Sequence, residues 1–153
     1  MGYAETRAGV DSAGRVMRSG KKVGFTCGAF DLFHAGHVLM LEEARSVCDY
    51  LVVGLQTDPS IDRPGKNRPV QTLEERWIQL EGCRYVDEVQ VYTTEVSLRE
   101  LLSRLMPDVR ILGADWQGRR FTGDDLPIAT YFNKREHKWS TTNLRYRVMQ
   151  ASQ

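Results

Sequence analysis

The sequence predicts an α/β fold: a doubly wound parallel sheet of five strands with helices on both faces. Two observations carry this reading. Short apolar runs of strand length alternate along the chain with segments whose apolar residues recur at helical spacing, the order expected of βαβ units. One of those runs, YLVVGL at 50–55, is apolar almost without a break, as a parallel strand covered on both faces must be. Parallel strands then require right-handed crossovers, with the helices packed against the sheet.

The first strand is the run around Val23, Phe25 and Cys27, set between two lysines and Gly28. GAFDLFHAGH, residues 28–37, leaves its carboxyl end. Beyond it Met40, Leu41, Ala44, Val47 and Cys48 recur at helical spacing, with Glu42, Glu43 and Arg45 between them, which makes an amphipathic helix. Tyr50 to Leu55 is the second strand. Residues 56–71 hold three prolines and a glycine, too broken for regular structure and long for a connection in a small domain, and loops of that length are often functional. Thr72 with Glu75 forms a capping box for a helix from Leu73 to about Cys83. Val89 and Val91 mark a third strand, Ser97 with Glu100 caps a short helix through about Leu105, and DVRILG supplies the fourth strand. Residues 113–127 are irregular, IATYF (128–132) is the fifth strand, and STTNLRYRVMQ is the final helix.

The chain has 153 residues, enough for one well-formed core and too few for two, so residues 21–153 read as a single domain after a flexible N-terminal arm of residues 1–20. That arm opens with a myristoylation-like pattern at Gly2 and Thr6, a short and common pattern set against a plain mobile terminus. With 21 basic and 20 acidic residues the net charge is +1, which provides no global field for nucleic acid, so no nucleic-acid partner is expected. Cys27, Cys48 and Cys83 are odd in number and far apart, which points to a reducing cytoplasm with the thiols as small apolar groups. No apolar run is long enough for a membrane span.

GAFDLFHAGH spends two of the three histidines within four residues, at the carboxyl end of a parallel strand, where open α/β sheets bind ligands. A helix beginning near Gly36 or His37 turns free N–H groups and the positive end of its dipole toward that crevice, a ready place for an anion. Glycine lets a ligand approach the backbone. A histidine donates to phosphate oxygen whether neutral or protonated, so the pair suits phosphate better than proton abstraction. On the residues alone, a turn histidine beside a capping histidine is the plainer account. A metal site has only His137 left as a further histidine ligand.

The stretch resembles the GxFDxxHxGH signature of the cytidylyltransferase-like nucleotidyltransferases, and a second block, KREHKWSTT (134–142), resembles the RTxGISTT motif of the same superfamily. RPVQTLEER (68–76), RYVDEV (84–89) and ILGADWQG (111–118) resemble further family segments, so the similarity spans roughly residues 21–150 and is greatest to the glycerol-3-phosphate cytidylyltransferases. The resemblance implies a Rossmann-like HxGH nucleotidyltransferase fold and in-line attack of an acceptor phosphate on the α-phosphorus of a nucleoside triphosphate, with Mg²⁺ bound alongside the nucleotide. Motif matching assigns His34, His37, Lys66 and Arg135 to catalysis. It assigns Gly28, Ala29, Phe30, Gly36, Arg76, Asp115, Trp116, Ser140, Thr141 and Thr142 to nucleotide binding, with no protein metal ligands. In those roles Gly36 leaves room for the nucleotide, Asp115 and Trp116 border the base, and Asp31 tightens the turn after the first strand. RYVDEV lies near the dimer interface of relatives, so a homodimer is expected.

Three departures bear on the substrate: Ala29 in place of threonine, Lys138 and Trp139 in place of Gly-Ile, and Ala114 in place of an acidic residue. The expectation is a cytoplasmic enzyme transferring CMP from CTP to a small phosphorylated alcohol of the glycerol-3-phosphate kind. The alternatives are an adenylyltransferase using ATP, of the heptose-1-phosphate or FMN type, a cytidylyltransferase acting on a phosphonate, and a nucleotide-binding module without turnover.

Overall fold

The strands are β1 Val23–Gly28, β2 Tyr50–Gln56, β3 Glu88–Tyr92, β4 Val109–Leu112 and β5 Ala129–Phe132; the helices are α1 Ala35–Ser46, α2 Leu73–Glu81, α3 Glu95–Leu105 and α4 Thr141–Ala151. This is a computed structural model that describes residues 20–153; the arm, apart from Gly20, and the Gly2–Thr6 pattern lie outside the described residues. The five strands form one parallel sheet in the order β3-β2-β1-β4-β5. The chain therefore runs outward from β1 through β2 to β3, then crosses back to β4 on the other side of β1. That reversal at β1 and β4 is the topological switch point, where a crevice opens above the strand ends.

Burial explains the two helical layers. Leu41 and Ala44 of α1 and Trp77 and Leu80 of α2 join Leu51, Val53 and Leu55 in one core cluster. Leu98, Leu101, Leu102 and Leu105 of α3 join Val23, Phe25 and Val52 in a second. Alternate β1 and β2 residues thus serve opposite faces, as the period of two in a strand dictates. Each fully buried leucine contributes roughly 1.5–3 kcal/mol. Every residue of β2 is buried, in keeping with its unbroken apolar run.

Thr72 and Glu75 make the reciprocal capping box expected for α2. At α3 the expectation was one turn too late: Thr94 is the N-cap and Ser97 its reciprocal partner, not Ser97 with Glu100. A hydroxyl at the third helical position can return the bond that glutamate usually returns, so the T-x-x-S pattern caps one turn earlier than S-x-x-E. Cys27, Cys48 and Cys83 are all free thiols, Cys48 buried and the other two half-buried.

Candidate active site

After β1 the backbone turns through Phe30 (φ 50°) and Leu32 (φ 51°), two non-glycine residues in the left-handed region. Such residues cost of order 1–3 kcal/mol each and persist only where the surroundings hold them. Here the Asp31 carboxylate accepts the N–H groups of Val70 and Gln71, both at 2.9 Å, and the Leu32 N–H donates to Gln71 Oε1 at 2.7 Å. Asp31 therefore fastens the β1 turn to the segment entering α2, rather than tightening its own turn alone. The Phe30 ring, 4% exposed, belongs to the core and sits 5.3 Å from the His37 ring. The expectation that Phe30 binds nucleotide is corrected to this extent: its side chain is a floor beneath His37, because the left-handed turn directs it inward.

His34 is the N-cap of α1. Its Nδ1 accepts the Gly36 N–H at 3.0 Å, while His37 Nδ1 accepts the His34 N–H at 3.4 Å. The two rings stack with centroids 3.8 Å apart. The spacing of three residues puts both imidazoles on one side of the first turn, and glycine between them lets the rings close up. Burial pushes both pKa values down, with help from His137, Arg135 and Arg147 for His34 and from His34 for His37, whose value falls to about 3 despite the opposing pull of Asp31. Both rings are thus neutral at pH 7. Since each Nδ1 accepts a backbone N–H, the single ring proton resides on Nε2, and each histidine offers a donor and no base.

A stability consequence follows from His37. Between pH 6.5 and about 3 the unfolded chain protonates this ring and the folded chain does not, so acidification favours unfolding by up to about 1.4 kcal/mol per pH unit in that window, with no contribution above pH 6.5. Urea unfolding at pH 7, 6, 5 and 4 checks this: His37→Gln is expected to give a flatter dependence than the wild type.

The other wall is the start of α4. Ser140 is its N-cap, with Oγ accepting the Asn143 N–H at 3.1 Å, and His34 Nε2 lies 3.1 Å from Thr141 Oγ1. That contact joins the N-termini of α1 and α4, so two helix dipoles converge on one spot. Neither helix has an acidic residue in its first turn, whereas α2 carries Glu74 and Glu75 there and α3 carries Glu95. The two converging ends thus leave the complementary negative charge to be supplied by an anion. Arg135, in the left-handed region at φ 43°, lines an adjoining cavity of about 580 Å³ together with Met40, Gly113, Ala114, Asn133, His137 and Trp139. A larger cavity of about 1050 Å³ lies against the outer side of α3 and contains none of the motif residues.

The remaining expected residues divide. Gly28 and Ala29 stand at the strand end beneath the turn, and Thr142 is exposed on the first turn of α4. Gly36 does not open a free space: a Cβ there would lie 2.9 Å from His34 Cε1, 2.9 Å from the Trp139 carbonyl and 3.0 Å from His137 Cε1. Its missing side chain lets the 137–139 segment dock. Lys66 is exposed on the long loop, held locally by its N–H to the Arg63 carbonyl at 3.1 Å. Trp116 lines a cavity with Arg63 and Arg120 rather than the one that Arg135 faces, and Asp115 folds back toward Gly113. Arg76 departs furthest from expectation. It is 2% exposed and donates to the carbonyls of Gln71, Ala29, Gln56 and Thr57 at 2.7–3.2 Å, so it is a strut between loops and not an exposed nucleotide contact.

The family model described as cytidylyltransferase-like matches residues 25–147, from β1 through the first turns of α4, and so includes both histidines, Arg135 and the STT block. The chain belongs to the cytidylyltransferase-like family. Among curated relatives it is 42% identical over 120 residues to the bifunctional protein HldE of Paramagnetospirillum magneticum, covering 78% of this chain and 24% of that protein. It is 39% identical over 130 residues to HldE of Caulobacter vibrioides, covering 82% and 27%. The chain thus spans about a quarter of the length of these relatives. Among solved structures, a lipopolysaccharide core biosynthesis protein from Thermoplasma volcanium matches with TM-score 0.56 at 20% identity, over 87% of this chain and 90% of that one. Pantoate-beta-alanine ligase from Francisella tularensis matches with TM-score 0.60 at 15% identity, over 84% and 67%. Both share the fold.

These relatives overturn one expectation. Relatives 42–44% identical to this chain are HldE proteins, so the reading of CTP and a glycerol-phosphate acceptor is withdrawn. It rested on RYVDEV and on the DWxG loop. In the structure Asp87 of the first is occupied in pairing with Arg45 at 2.9 Å and accepting the Leu51 N–H at 2.8 Å, and Trp116 of the second lines a different cavity from the one that Arg135 lines. Both segments therefore report the shared fold more than the base. Among the described residues no helix is long and apolar enough to cross a membrane, and no group of three or more His, Cys, Asp or Glu could hold a metal ion.

Proposed function

We propose that the chain transfers AMP from ATP to a sugar phosphate of the heptose-1-phosphate type, with release of pyrophosphate. The observation that carries this reading is the seat where the N-termini of α1 and α4 meet at His34 and Thr141, lined by two neutral imidazoles. The similarity to HldE favours the adenylyl chemistry and the sugar phosphate over the other readings. The acceptor phosphate oxygen attacks the α-phosphorus in line; the new P–O bond forms as the bond to the bridging oxygen breaks and pyrophosphate leaves. An acceptor phosphate is already an anion at neutral pH, so no base is required, and neutral donors suffice.

His34 and His37 present Nε2–H to oxygens on which charge builds, Thr141 ceding its place beside His34 to phosphate. Arg135, Ser140, Thr141 and Thr142 hold the β- and γ-phosphates, the 580 Å³ cavity seats the nucleoside, and Lys66 reaches in from its loop. Magnesium would supply further charge neutralisation. The donor set fits an ion carried by the phosphates rather than a resident one, since the nearby Asp31 is taken up by Val70, Gln71 and Arg145. A homodimer with residues 84–89 near its interface accompanies this reading.

The test is pyrophosphate release from ATP and from CTP across sugar 1-phosphates, glycerol 3-phosphate and phosphonates. ATP with a sugar 1-phosphate is expected to exceed every CTP pair at least tenfold or so in kcat/KM. Turnover with CTP alone overturns the choice of nucleotide. Nucleotide binding without product from any pair makes the chain a binding module.

A further inference from the structure

We propose that His137 is a third imidazole of the phosphate seat and contacts the triphosphate through its Nε2–H. This rests on the reading of the seat as a triphosphate site. The chain has three histidines, and the fold brings all of them to one place although His137 belongs to the block at the other end of the domain. His34 Cε1 and His137 Cε1 both lie within 3.0 Å of the point where a Cβ on Gly36 would stand. The two rings share the gap that this glycine leaves, and His137 is close enough to contribute to the lowering of the His34 pKa.

The His137 ring is also oriented. Its Nδ1 accepts the Trp139 N–H at 3.2 Å, and its plane stacks on the Trp139 indole with centroids 5.5 Å apart at 24°. With Nδ1 occupied as an acceptor, the neutral ring carries its proton on Nε2. All three imidazoles thus use Nδ1 on a backbone N–H, which directs Nε2–H to a ligand once Thr141 cedes its place beside His34. His137 and Trp139 also line the cavity that holds Arg135. His137 therefore stands between the proposed nucleoside cavity and the joined helix ends, on the path the phosphate chain must take. The departure that places an indole before STT acquires a purpose here: Trp139 is the platform and the N–H partner that hold this imidazole in place.

Two substitutions separate a ligand contact from a packing role. Asparagine at 137 can retain the acceptor that meets the Trp139 N–H but loses the distal donor, whereas glutamine reaches farther and can replace the donor. Titration calorimetry with inorganic tripolyphosphate, alongside steady-state turnover, is expected to show H137A and H137N both weakened roughly ten- to a hundredfold, the loss typical of a hydrogen bond to a charged group, with H137Q recovering much of it. Recovery by H137N and not by H137Q makes His137 a packing residue and overturns the proposal. So does wild-type tripolyphosphate affinity in all three variants. The titration needs no turnover, so it decides the role of His137 even if every nucleotide and acceptor pair fails to react and the transfer reading falls.

Discussion

Alanine in place of His34 or His37 is expected to lower kcat on the order of a hundredfold or more, the usual loss when a donor aimed at developing charge is removed. The geometry makes the two cases distinguishable from simple unfolding. His34 caps α1 through Nδ1 to the Gly36 N–H, so His34→Ala also forfeits a cap of about 1 kcal/mol. His34→Asn restores a good N-cap and leaves the Nε2 position empty. Thermal melts should therefore place the asparagine variant near the wild type and the alanine variant below it, while turnover stays depressed in both. Turnover that returns with the cap would reduce His34 to a structural role. The neutrality of the pair sharpens the comparison. Because burial holds His37 near a pKa of about 3, protonation of this ring cannot produce an acid limb between pH 6 and 7 in the pH–rate profile.

The fold was legible because each strand and helix announced its period locally. β2 is buried on both faces and reads as an unbroken apolar run; α2 carries its capping box in sequence. The placement of the histidine pair at a helix start was legible for the same reason, since a three-residue spacing at a strand end is a local pattern, and His34 is indeed a capping histidine. The phosphate role came from the resemblance and not from the spacing. What could not be read is what two distant segments do to one another. Gly36 looked like room for a ligand, yet the groups that fill its space, His137 and Trp139, come from the far end of the domain. His137 appeared only as a possible metal ligand, and the available signal, a third histidine beside the STT block, has no meaning until α4 is docked against α1. The base preference failed for a related reason. RYVDEV and DWxG are strand-end and turn segments whose residues answer first to the sheet, as Asp87 does in accepting the Leu51 N–H.

Arg76 is the clearest case of a residue whose role depends on assembly, and it carries the second large prediction. From LEER alone it is an arginine on the first turn of a helix, facing ligand or solvent. In the structure its guanidinium gathers carbonyls from the end of β2, the residue after it, the turn after β1 and the start of α2. Burial pulls the Arg76 pKa down and Asp31 and Asp58 offset only part of that pull, yet a guanidinium keeps its charge in a protein, so the buried group depends on its carbonyl partners. Removing one partner from a buried charged network leaves the others desolvated and unpaired, at a cost of about 3 kcal/mol or more. For a chain of this size that corresponds to a fall in Tm of roughly 10 °C for Arg76→Ala. Arg76→Lys should recover little, because a single ammonium cannot span carbonyls that a planar fork reaches together. A nucleotide-contacting arginine predicts the reverse pattern, with an unchanged Tm and a raised KM for ATP, and a scanning melt beside one ATP titration separates the two. The sharper expectation is that the turn bearing Phe30 and Leu32 loosens first. Its left-handed residues rely on Asp31 holding Val70 and Gln71, and Arg76 anchors that same segment through the Gln71 carbonyl. Amide exchange at Val70 and Gln71 should therefore accelerate in Arg76→Lys at temperatures where the sheet amides of β2 remain protected.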